Sequence, residues 1–412
     1  MPFFSRFKST VLCLSICFLS CGQKQATPTK KEISTTEVVE KEIIVSANRT
    51  RAFIPLLQNR KIAVVANQTS VIFKQEGYTH LVDSLLSLNV DIQSVFAPEH
   101  GFRGKADAGE AVKDGFDNKT GLPILSLHGK NKKPTPEQLE KIDLVLFDIQ
   151  DVGVRFYTYI ATLQLVMEAC AKAKIPIVVL DRPNPNAHYV DGPTMKAAHT
   201  SFLGYQQIPL VYGMTIGEYA QMLNEEGWLT DGAKSDLTVI PLKNYVHGSS
   251  YELPIRPSPN LPNDISINLY PSLGLFEGTT INAGRGTEFQ FQRYGAAFLD
   301  SATFIFSYIP KPNFGSKYPK EEGKLCYGED LSTHPKMDSV SLQWLLKAYQ
   351  HSNDKESFFK TASFTKHAGT EVLQQQIEAG LSEEEIKATW KEDLTTFKKI
   401  RAKHLLYRDP TH

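Results

Sequence analysis

Short apolar runs alternate with helix-type patterns between about residue 52 and residue 186. The runs are apolar for most of their length and cover residues 61–66, 92–97, 123–127, 143–148 and 175–180. Continuously apolar strands are typical of a parallel sheet that is buried on both faces. Helix-type patterns fill the intervals at 80–88, from 135 onwards and at 157–174. The sequence therefore predicts an α/β fold, a Rossmann-like three-layer αβα domain with a parallel sheet.

The regular alternation ends near residue 190. Residues 251–290 are rich in Pro, Asn and Gly and show little periodicity. Thr215 and Glu218 have the spacing of a capping box and mark a helix start. The patterns beyond residue 190 predict one strand, at 236–242, and helices at 215–229, 340–350, 370–379 and 382–407. We predict a Rossmann-like catalytic domain over 51–300 and a smaller α+β C-terminal domain over 301–412.

The N-terminal residues have the features of an export signal. Arg6 and Lys8 precede an apolar run at 11–19, which is too short to cross a bilayer as a helix. Cys21 follows Ser20 as in a bacterial lipoprotein signal, so we expect a signal peptide over 1–20 and a lipid on Cys21. The alternative is an ordinary secretory signal cut nearby. Residues 21–50 are polar and predict a flexible tether. The chain is thus expected to be an exported, membrane-anchored lipoprotein that faces the periplasm.

The charge balance excludes some classes of partner. Lys and Arg together number 45, as do Asp and Glu, so the formal net charge is zero. A general nucleic-acid binder would need an excess of cations to neutralise phosphates. Outside the N-terminal segment the cysteines are Cys170 and Cys326, too few for a thiolate metal cluster. Cys170 falls on the apolar face of a predicted helix and is expected to be a buried thiol.

Polar segments follow four of the predicted strands. Parallel strands place their carboxyl ends at one edge of a sheet, where ligands bind in this fold. Carboxylates, amides and guanidinium groups should therefore meet at that edge, and loops so rich in them indicate a site. The segments are 67–69, 98–104, 148–157 and 181–186.

The usual cofactor motifs are missing from the sequence. G-x-G-x-x-G does not follow the first strand, and a phosphate-binding P-loop does not occur, so we expect no nucleotide cofactor. H-E-x-x-H is also missing, and we expect no metal. The sequence lacks the G-x-S-x-G elbow of serine hydrolases.

Carboxylates at the sheet edge suit glycoside cleavage, which needs an acid for the leaving oxygen and usually a second carboxylate. Glu99 follows a strand directly, and partial burial there would raise its pKa toward working pH. Alternatively, it is a turn carboxylate paired with Arg103. Asp148, Asp151 and Glu277 are candidates for the second carboxylate. For Asp148 and Asp151 the alternative is capping of the Gly153 turn or an ion pair with Arg155, and His100 either orients a group of the site or is structural.

Several long motifs resemble one family of glycosidases. They are APEHGFRG (97–104), FDIQDVGVRFYTY (147–159), LDRPNP (180–185), LVYGMTIGE (210–218), RPSPNLP (256–262) and LYPSLGLFEGTTINAGRGTEFQFQRYGAAF (269–298). The chain resembles the exo-β-N-acetylmuramidase family, NamZ-type, glycoside hydrolase family 171, over residues 50–408. The resemblance implies a Rossmann-like domain and a smaller C-terminal domain that completes the cleft between them. It also implies release of terminal non-reducing N-acetylmuramic acid from MurNAc-GlcNAc saccharides of peptidoglycan, in cell-wall turnover and recycling.

The resemblance also implies the residues of the site. Glu99 of the PEHGFRG motif is the candidate catalytic acid. Muramic acid carries a lactyl carboxylate, for which Arg182 and Arg285 are the candidate bidentate partners. The cleft residues expected from the motifs and from the segment after the first strand are Asn67, His100, Arg103, Asp148, Gln150, Asp151, Arg155, Tyr157, Asp181, Arg182, Asn184, Asn282 and Arg285.

Two other functions stay open at this point. One is a lipid-anchored protein that binds peptidoglycan saccharides without catalysis. The other is an amidase or esterase acting on wall components.

Overall fold

A mostly parallel sheet is the centre of the computed structural model, which describes residues 41–104 and 113–410. The strands in chain order are β1 (Ile62–Ala66), β2 (Val71–Phe73), β3 (Tyr78–His80), β4 (Ile92–Ala97), β5 (Gly115–Phe116), β6 (Pro123–Ser126), β7 (Leu144–Asp148), β8 (Ile177–Leu180), β9 (Leu237–Ile240), β10 (Arg293–Ala296), β11 (Phe306–Tyr308) and β12 (Cys326–Asp330).

The central sheet has the strand order β5-β6-β4-β1-β7-β8-β9. Neighbouring strands run parallel, apart from the edge pair β5 and β6. Numbered along the chain, the parallel strands lie in the order 3-2-1-4-5-6, which is the Rossmann order. The predicted α/β class and parallel sheet are confirmed.

Helices cover the sheet on both faces. In chain order they are α1 (Thr50–Leu57), α2 (Leu81–Ser87), α3 (Pro136–Leu139), α4 (Tyr159–Ala173), α5 (Ile216–Glu225), α6 (Asp264–Leu273), α7 (Gln343–Gln350), α8 (Thr361–Ala368), α9 (Val372–Glu378), α10 (Glu383–Ala388) and α11 (Lys391–Arg401).

The side chains of β1 show why both faces need cover. Ile62 and Val64 pack in an apolar cluster with α1 and α2, whereas Ala63 and Val65 pack in a second cluster with α4 and α5. Every residue of β1 is buried. A strand without a solvent-facing side has no polar alternation, which is why it reads as a continuous apolar run. Cys170 is a buried thiol in this core, as predicted.

The start of α5 agrees with the sequence prediction, whereas the helix predicted over 382–407 does not. Thr215 and Glu218 form the predicted capping box at the start of α5. The single helix predicted over 382–407 is wrong, because the chain forms α10 and α11 with a break at Thr389 and Trp390. The Thr389 hydroxyl donates to the Ile386 carbonyl (2.7 Å), and Trp390 turns into the core.

The end of the predicted tether belongs to the folded chain. Ile44 pairs with Lys243 through backbone hydrogen bonds of 3.0 Å, and Val45 and Ala47 are buried. The apolar run at 43–45 carries the chain into the core, so the tether boundary at residue 50 is wrong. Residues 21–40, the predicted signal peptide and Cys21 lie outside the described residues. Within 41–104 and 113–410, no helix has the length and apolar character that a bilayer span requires.

The C-terminal part combines helices with a small antiparallel sheet of strand order β10-β12-β11. This arrangement matches the α+β character predicted there. Glu42–His412 forms one compact unit. The domain boundary at residue 300 stays a prediction.

Candidate active site

The turn after β4 presents Glu99. The Gly101 N–H donates to the Pro98 carbonyl (3.0 Å), which closes the turn. His100 and Gly101 both have left-handed backbone angles, with φ of 69° and 75°. Non-glycine residues seldom adopt this conformation, although histidine does so more often than most, and it recurs at functional sites. The turn leaves Glu99 half-buried at the end of its strand.

Thr158 holds the Glu99 carboxyl from the neighbouring segment. Its hydroxyl donates to Glu99 Oε2 (2.9 Å), and the Tyr159 hydroxyl lies 3.4 Å from the Glu99 carbonyl oxygen. Thr158 directly precedes α4, which leaves the sheet after β7. The ends of two strands on either side of β1 therefore place Glu99, and the hydrogen bond fixes the direction of its carboxyl group.

Glu99 lies on the wall of a cavity, called here the Glu99 cavity. It encloses about 640 Å³ when the open solvent at its mouth is included. Its apolar and aromatic walls come from Phe156, Tyr157, Tyr159, Leu203, Leu261, Tyr270 and Phe291. Its other polar side chains are His100, Thr158, Ser258, Asn260, Glu277, Arg285 and His367. Polar groups set into an aromatic wall are how proteins hold a sugar ring.

Glu277 is a second carboxyl group in this cavity. It lies in the short 3₁₀ turn Gly274–Gly278 after α6, with 23% of its side chain exposed. Burial on its own would raise the pKa of Glu277, but the Arg285 guanidinium and then Lys320 outweigh it and lower the pKa to about 2. Glu277 is therefore a carboxylate at neutral pH.

Lys320 is held against the backbone of the same turn. Its ammonium donates to the carbonyls of Phe276 (2.8 Å), Glu277 (3.2 Å) and Ile281 (3.3 Å). Burial lowers the pKa of Lys320 to about 8, although the nearby Glu277 opposes the shift. Lys320 is thus a largely charged neighbour that keeps Glu277 ionised.

Two nitrogens of Arg285 make hydrogen bonds within the protein. Nη1 lies 3.0 Å from Glu277 Oε2, and Nη2 donates to the Gly315 carbonyl (3.2 Å). Among the described residues, Nε has no hydrogen-bond partner. A bidentate contact of Arg285 with a substrate carboxylate would have to use the N–H groups that these two bonds leave over, Nε–H among them.

His367 in α8 contributes a neutral imidazole. Nδ1 lies 2.8 Å from the Ser363 carbonyl, which can only accept, so Nδ1 carries the proton and Nε2 is an acceptor. Burial lowers the pKa of His367, and Lys320 and Arg155 act in the same direction. In the described part of the chain, Nε2 has no hydrogen-bond partner.

Arg155 lies behind His367 and outside the cavity. It is fully buried, and Nη2 donates to the carbonyls of His367 (2.9 Å) and Ala368 (2.8 Å). Burial lowers the pKa of Arg155 to about 9. The expectation that Arg155 contacts substrate is wrong, because Arg155 does not line the cavity and its Nη2 holds the end of α8. The alternative, an ion pair with Asp148 or Asp151, is wrong as well, because Asp148 pairs with Arg182 and Asp151 accepts from Gly153 and Tyr212.

Asp148 and Arg182 bind each other at the centre of the sheet. Nε and Nη2 of Arg182 lie 2.6 and 2.8 Å from the two carboxylate oxygens, and both side chains are almost fully buried. Arg182 also donates to the Val71 carbonyl (3.0 Å). A catalytic role for Asp148 and a lactyl-binding role for Arg182 are therefore corrected: the pair joins the ends of β7, β8 and β2.

Asp151 and Asp181 are also structural rather than cavity residues. Asp151 accepts from the Gly153 N–H (2.7 Å) and from the Tyr212 hydroxyl, which is the turn-capping alternative considered above. Burial raises the pKa of Asp151 to about 6 and that of Asp181 to about 7. Asp181 accepts from the Thr215 hydroxyl (2.8 Å), the Gly217 N–H and the Tyr407 hydroxyl.

The predicted amide side chains shape the loops instead of lining the cavity. Gln150 donates to the Pro183 carbonyl (2.6 Å) and Asn184 to the Met214 carbonyl (2.8 Å). Asn282 donates to the Arg285 and Lys320 carbonyls, and Asn67 accepts from the backbone and hydroxyl of Thr69. These bonds tie neighbouring loops together, so the four residues support the site from behind.

Arg103 faces a different depression in the surface. Its guanidinium pairs with Asp117 (2.7 Å) and Asp83 (3.3 Å), not with Glu99 as in the turn-carboxylate alternative. It lines a separate cavity with His80 and Lys119. Of the predicted residues, the structure therefore brings together Glu99, His100, Tyr157, Glu277 and Arg285.

Sequence reasoning missed several cavity residues. Ser258 and Asn260 lie in the quoted RPSPNLP run, where the density of ligand-type side chains was a usable signal. His367 lies within a helix far along the chain and outside the quoted motifs, so no such signal marked it. Thr158 lies in the quoted motif at 147–159, directly after the polar segment 148–157. Within the described ranges, His, Cys, Asp and Glu side chains do not cluster in threes that could hold a metal ion.

Comparison with known proteins identifies close relatives. The family models described as exo-beta-N-acetylmuramidase NamZ, N-terminal and C-terminal, match residues 62–265 and 268–407. Peptidoglycan beta-N-acetylmuramidase NamZ of Bacillus subtilis (strain 168) is 38% identical over 371 residues, which cover 85% of this chain and 88% of that protein. The first matched region ends at residue 265 and the second begins at residue 268, earlier in the chain than the domain boundary predicted at residue 300.

Two crystal structures of DUF1343 family proteins from Bacteroides fragilis NCTC 9343 have the same fold. One is 43% identical with a TM-score of 0.82, and the match covers 90% of this chain and all of that one. The other is 25% identical with a TM-score of 0.74 and covers 89% of this chain and 99% of that one.

Proposed function

The chain belongs to the exo-β-N-acetylmuramidase NamZ family, and from this premise we propose that the Glu99 cavity releases terminal N-acetylmuramic acid from the non-reducing end of peptidoglycan fragments. The protein is accordingly a glycosidase that degrades peptidoglycan. The observation that carries the assignment to this cavity is the pairing of Glu99 and Glu277 on its walls. Glycoside hydrolysis commonly uses two carboxyl groups in different protonation states.

Glu99 is the group we propose as the general acid. It is half-buried in the wall of the cavity, beside the aromatic side chains of Tyr157, Tyr159 and Tyr270. The Thr158 hydroxyl fixes its direction. In the proposed step, Glu99 gives its proton to the glycosidic oxygen as the bond to the anomeric carbon breaks. A water molecule then adds to that carbon and loses a proton, so that the carboxyl group can be protonated again.

Glu277 is the group we propose as the permanently charged partner. Arg285 and Lys320 keep it ionised, so it can stabilise the positive charge that develops at the anomeric carbon. Arg285 remains the proposed partner of the lactyl carboxylate, through its charge and its Nε–H.

The test compares wild type with Glu99→Gln on a chromogenic N-acetylmuramide in the presence of EDTA. We expect wild type to release the aglycone and Glu99→Gln to lose about 10²–10⁴-fold in kcat, the usual contribution of general acid catalysis. Glu140→Gln, at an exposed position outside the cavity, is the matched control and should behave like wild type.

Two results would contradict the proposal. Turnover by Glu99→Gln at the wild-type rate would refute the assignment of the acid. Binding of the saccharide by wild type without turnover would instead favour the saccharide-binding alternative.

We further propose that the protein is a lipoprotein anchored through Cys21 in the cell envelope and facing the periplasm. The support is the sequence of residues 1–21, with its basic start, short apolar run and cysteine. Cys21→Ala should abolish incorporation of a radiolabelled fatty acid and release the protein from the membrane fraction. Equal labelling of the variant and wild type would overturn the proposal.

A further inference from the structure

Asn260 lines the Glu99 cavity and carries a buried acceptor that has no partner among the described residues. The residue is 4% exposed and lines the cavity, and its Oδ1 has no hydrogen-bond partner among the described residues. A buried polar atom without a partner costs free energy, and in a binding site this cost is recovered when a ligand supplies the missing group.

The hydrogen bond made by the nitrogen of the Asn260 amide shows that the oxygen is the atom without a partner. Nδ2 donates to the Gly315 carbonyl at 2.7 Å. A carbonyl can only accept, so the nitrogen must face Gly315 and the oxygen must be the atom without a partner. The opposite orientation of the amide would place two oxygens against each other.

The surroundings hold Asn260 in place. Its backbone N–H donates to the Ser258 hydroxyl (3.2 Å). A Cβ on Gly315, where φ is 94°, would lie 2.7 Å from Pro259 and 3.2 Å from the Asn260 amide, so only glycine fits there. Gln68 donates to the Arg256 and Pro257 carbonyls just before this turn. The acceptor is therefore positioned before any ligand arrives.

We propose that Asn260 Oδ1 accepts the N–H of the 2-acetamido group of the terminal sugar, so that Asn260 selects N-acetylated sugars; this rests on the proposed function. An amide N–H only donates and is fully satisfied by one acceptor, whereas a hydroxyl also needs a partner for its own oxygen. Leu261 follows Asn260 directly, and Tyr270 and Phe291 line the same cavity, which gives the acetyl methyl apolar walls.

The test measures ground-state binding, so that the chemical step does not enter. Methyl β-N-acetylmuramide and its analogue with an ester oxygen in place of the amide nitrogen are titrated by calorimetry into Glu99→Gln and into Glu99→Gln/Asn260→Ala. We expect Glu99→Gln to prefer the amide by about 10- to 100-fold. Asn260→Ala should remove this preference. It should weaken binding of the amide ligand, while the affinity for the ester ligand should change by no more than about 3-fold.

Gln68→Ala on the same background is the matched control. It loosens the segment that carries Asn260 without removing the acceptor. The affinities for the amide and the ester ligand should therefore fall by the same factor, and the preference for the amide should remain. Thermal unfolding of each variant reports whether it is folded.

The outcomes separate this inference from the proposed function. Equal affinity of Glu99→Gln for the amide and the ester would overturn the role of Asn260, and this comparison does not depend on folding of the alanine variant. A preference that survives in Asn260→Ala would also overturn it. Wild-type turnover by Glu99→Gln would refute the acid assignment alone, whereas failure of both ligands to bind would refute the proposed function and this inference together.

Discussion

Arg285 sets the charge of the carboxylate beside it. Glu277 is buried enough that, without a cation, its pKa would rise above its usual value. Arg285 and Lys320 instead hold the pKa at about 2. A carboxyl group whose pKa is lowered in the folded protein favours folding at pH values above its unfolded pKa, and loses that contribution as the pH falls toward 2. Across the working range, Glu277 should therefore not limit activity.

Removing the Arg285 charge should expose the titration of Glu277. In Arg285→Gln, burial is opposed mainly by Lys320, so the pKa of Glu277 rises, by about 1–3 if the loss matches a typical close ion pair. We expect the acid limb of the kcat/KM profile that Glu277 causes, which lies near pH 2 in wild type, to move to higher pH and enter the measured range. The measurement is kcat/KM for the chromogenic muramide from pH 3 to pH 8.

Arg293→Gln is the matched control for this profile. Arg293 pairs with Asp330 at 3.1 Å in the small sheet and does not line the Glu99 cavity. Its removal should leave the acid limb in place. An unchanged limb in Arg285→Gln would mean that Glu277 is not needed in its ionised form.

At the scale of elements, the sequence was most informative about the sheet. Strands of continuous apolar residues need two covering layers, and this requirement alone predicts β1, β4, β7 and β8 closely. The tether boundary and the helix at 382–407 failed for a local reason. Three apolar residues at 43–45 and one buried Trp390 decide those boundaries, and their burial depends on tertiary contacts that a local pattern does not contain.

The polar loops at the strand ends show the same limit for the site. Glu99 directly follows a strand, and it does lie on a cavity wall. The same rule does not tell which side chains face the cavity and which form ion pairs in the core below it. Asp148 and Arg182 follow strands as closely as Glu99 does, yet they neutralise each other in the core. Which carboxylate meets an arginine depends on distances between strands, and a single sequence does not give them.

At the scale of the whole molecule, both family-model regions build one cavity. Glu99 and Thr158 come from the first region, whereas Glu277, Arg285 and His367 come from the second. Arg155 connects them, because it leaves the sheet region and donates to two carbonyls at the end of α8. The position of His367 in the cavity therefore depends on the fit between the Arg155 side chain and the backbone after α8.

Gly369 is the residue that allows this fit, and Gly369→Ala tests it. The backbone has φ of 83° there, and a Cβ would lie 2.3 Å from Arg155 Nη1. Gly380 has a similar φ of 79° after α9 but nothing within 4 Å of a Cβ, so Gly380→Ala carries only the left-handed strain of about 1–2 kcal/mol. In Gly369→Ala, overpacking should lower the free energy of unfolding by a further 1–3 kcal/mol, on the order of what overpacked cores lose. Chemical unfolding measures both losses.

Activity then shows whether the contact positions the cavity or only stabilises the fold. The displaced Arg155 shifts the end of α8, so Gly369→Ala should lower kcat/KM per folded molecule, whereas Gly380→Ala should keep the wild-type value. Equal unfolding free energies and equal kcat/KM for the two variants would show that the two regions do not depend on this contact. The comparison is informative because both glycines have a left-handed φ of similar size, while a methyl group meets Arg155 at Gly369 and nothing within 4 Å at Gly380.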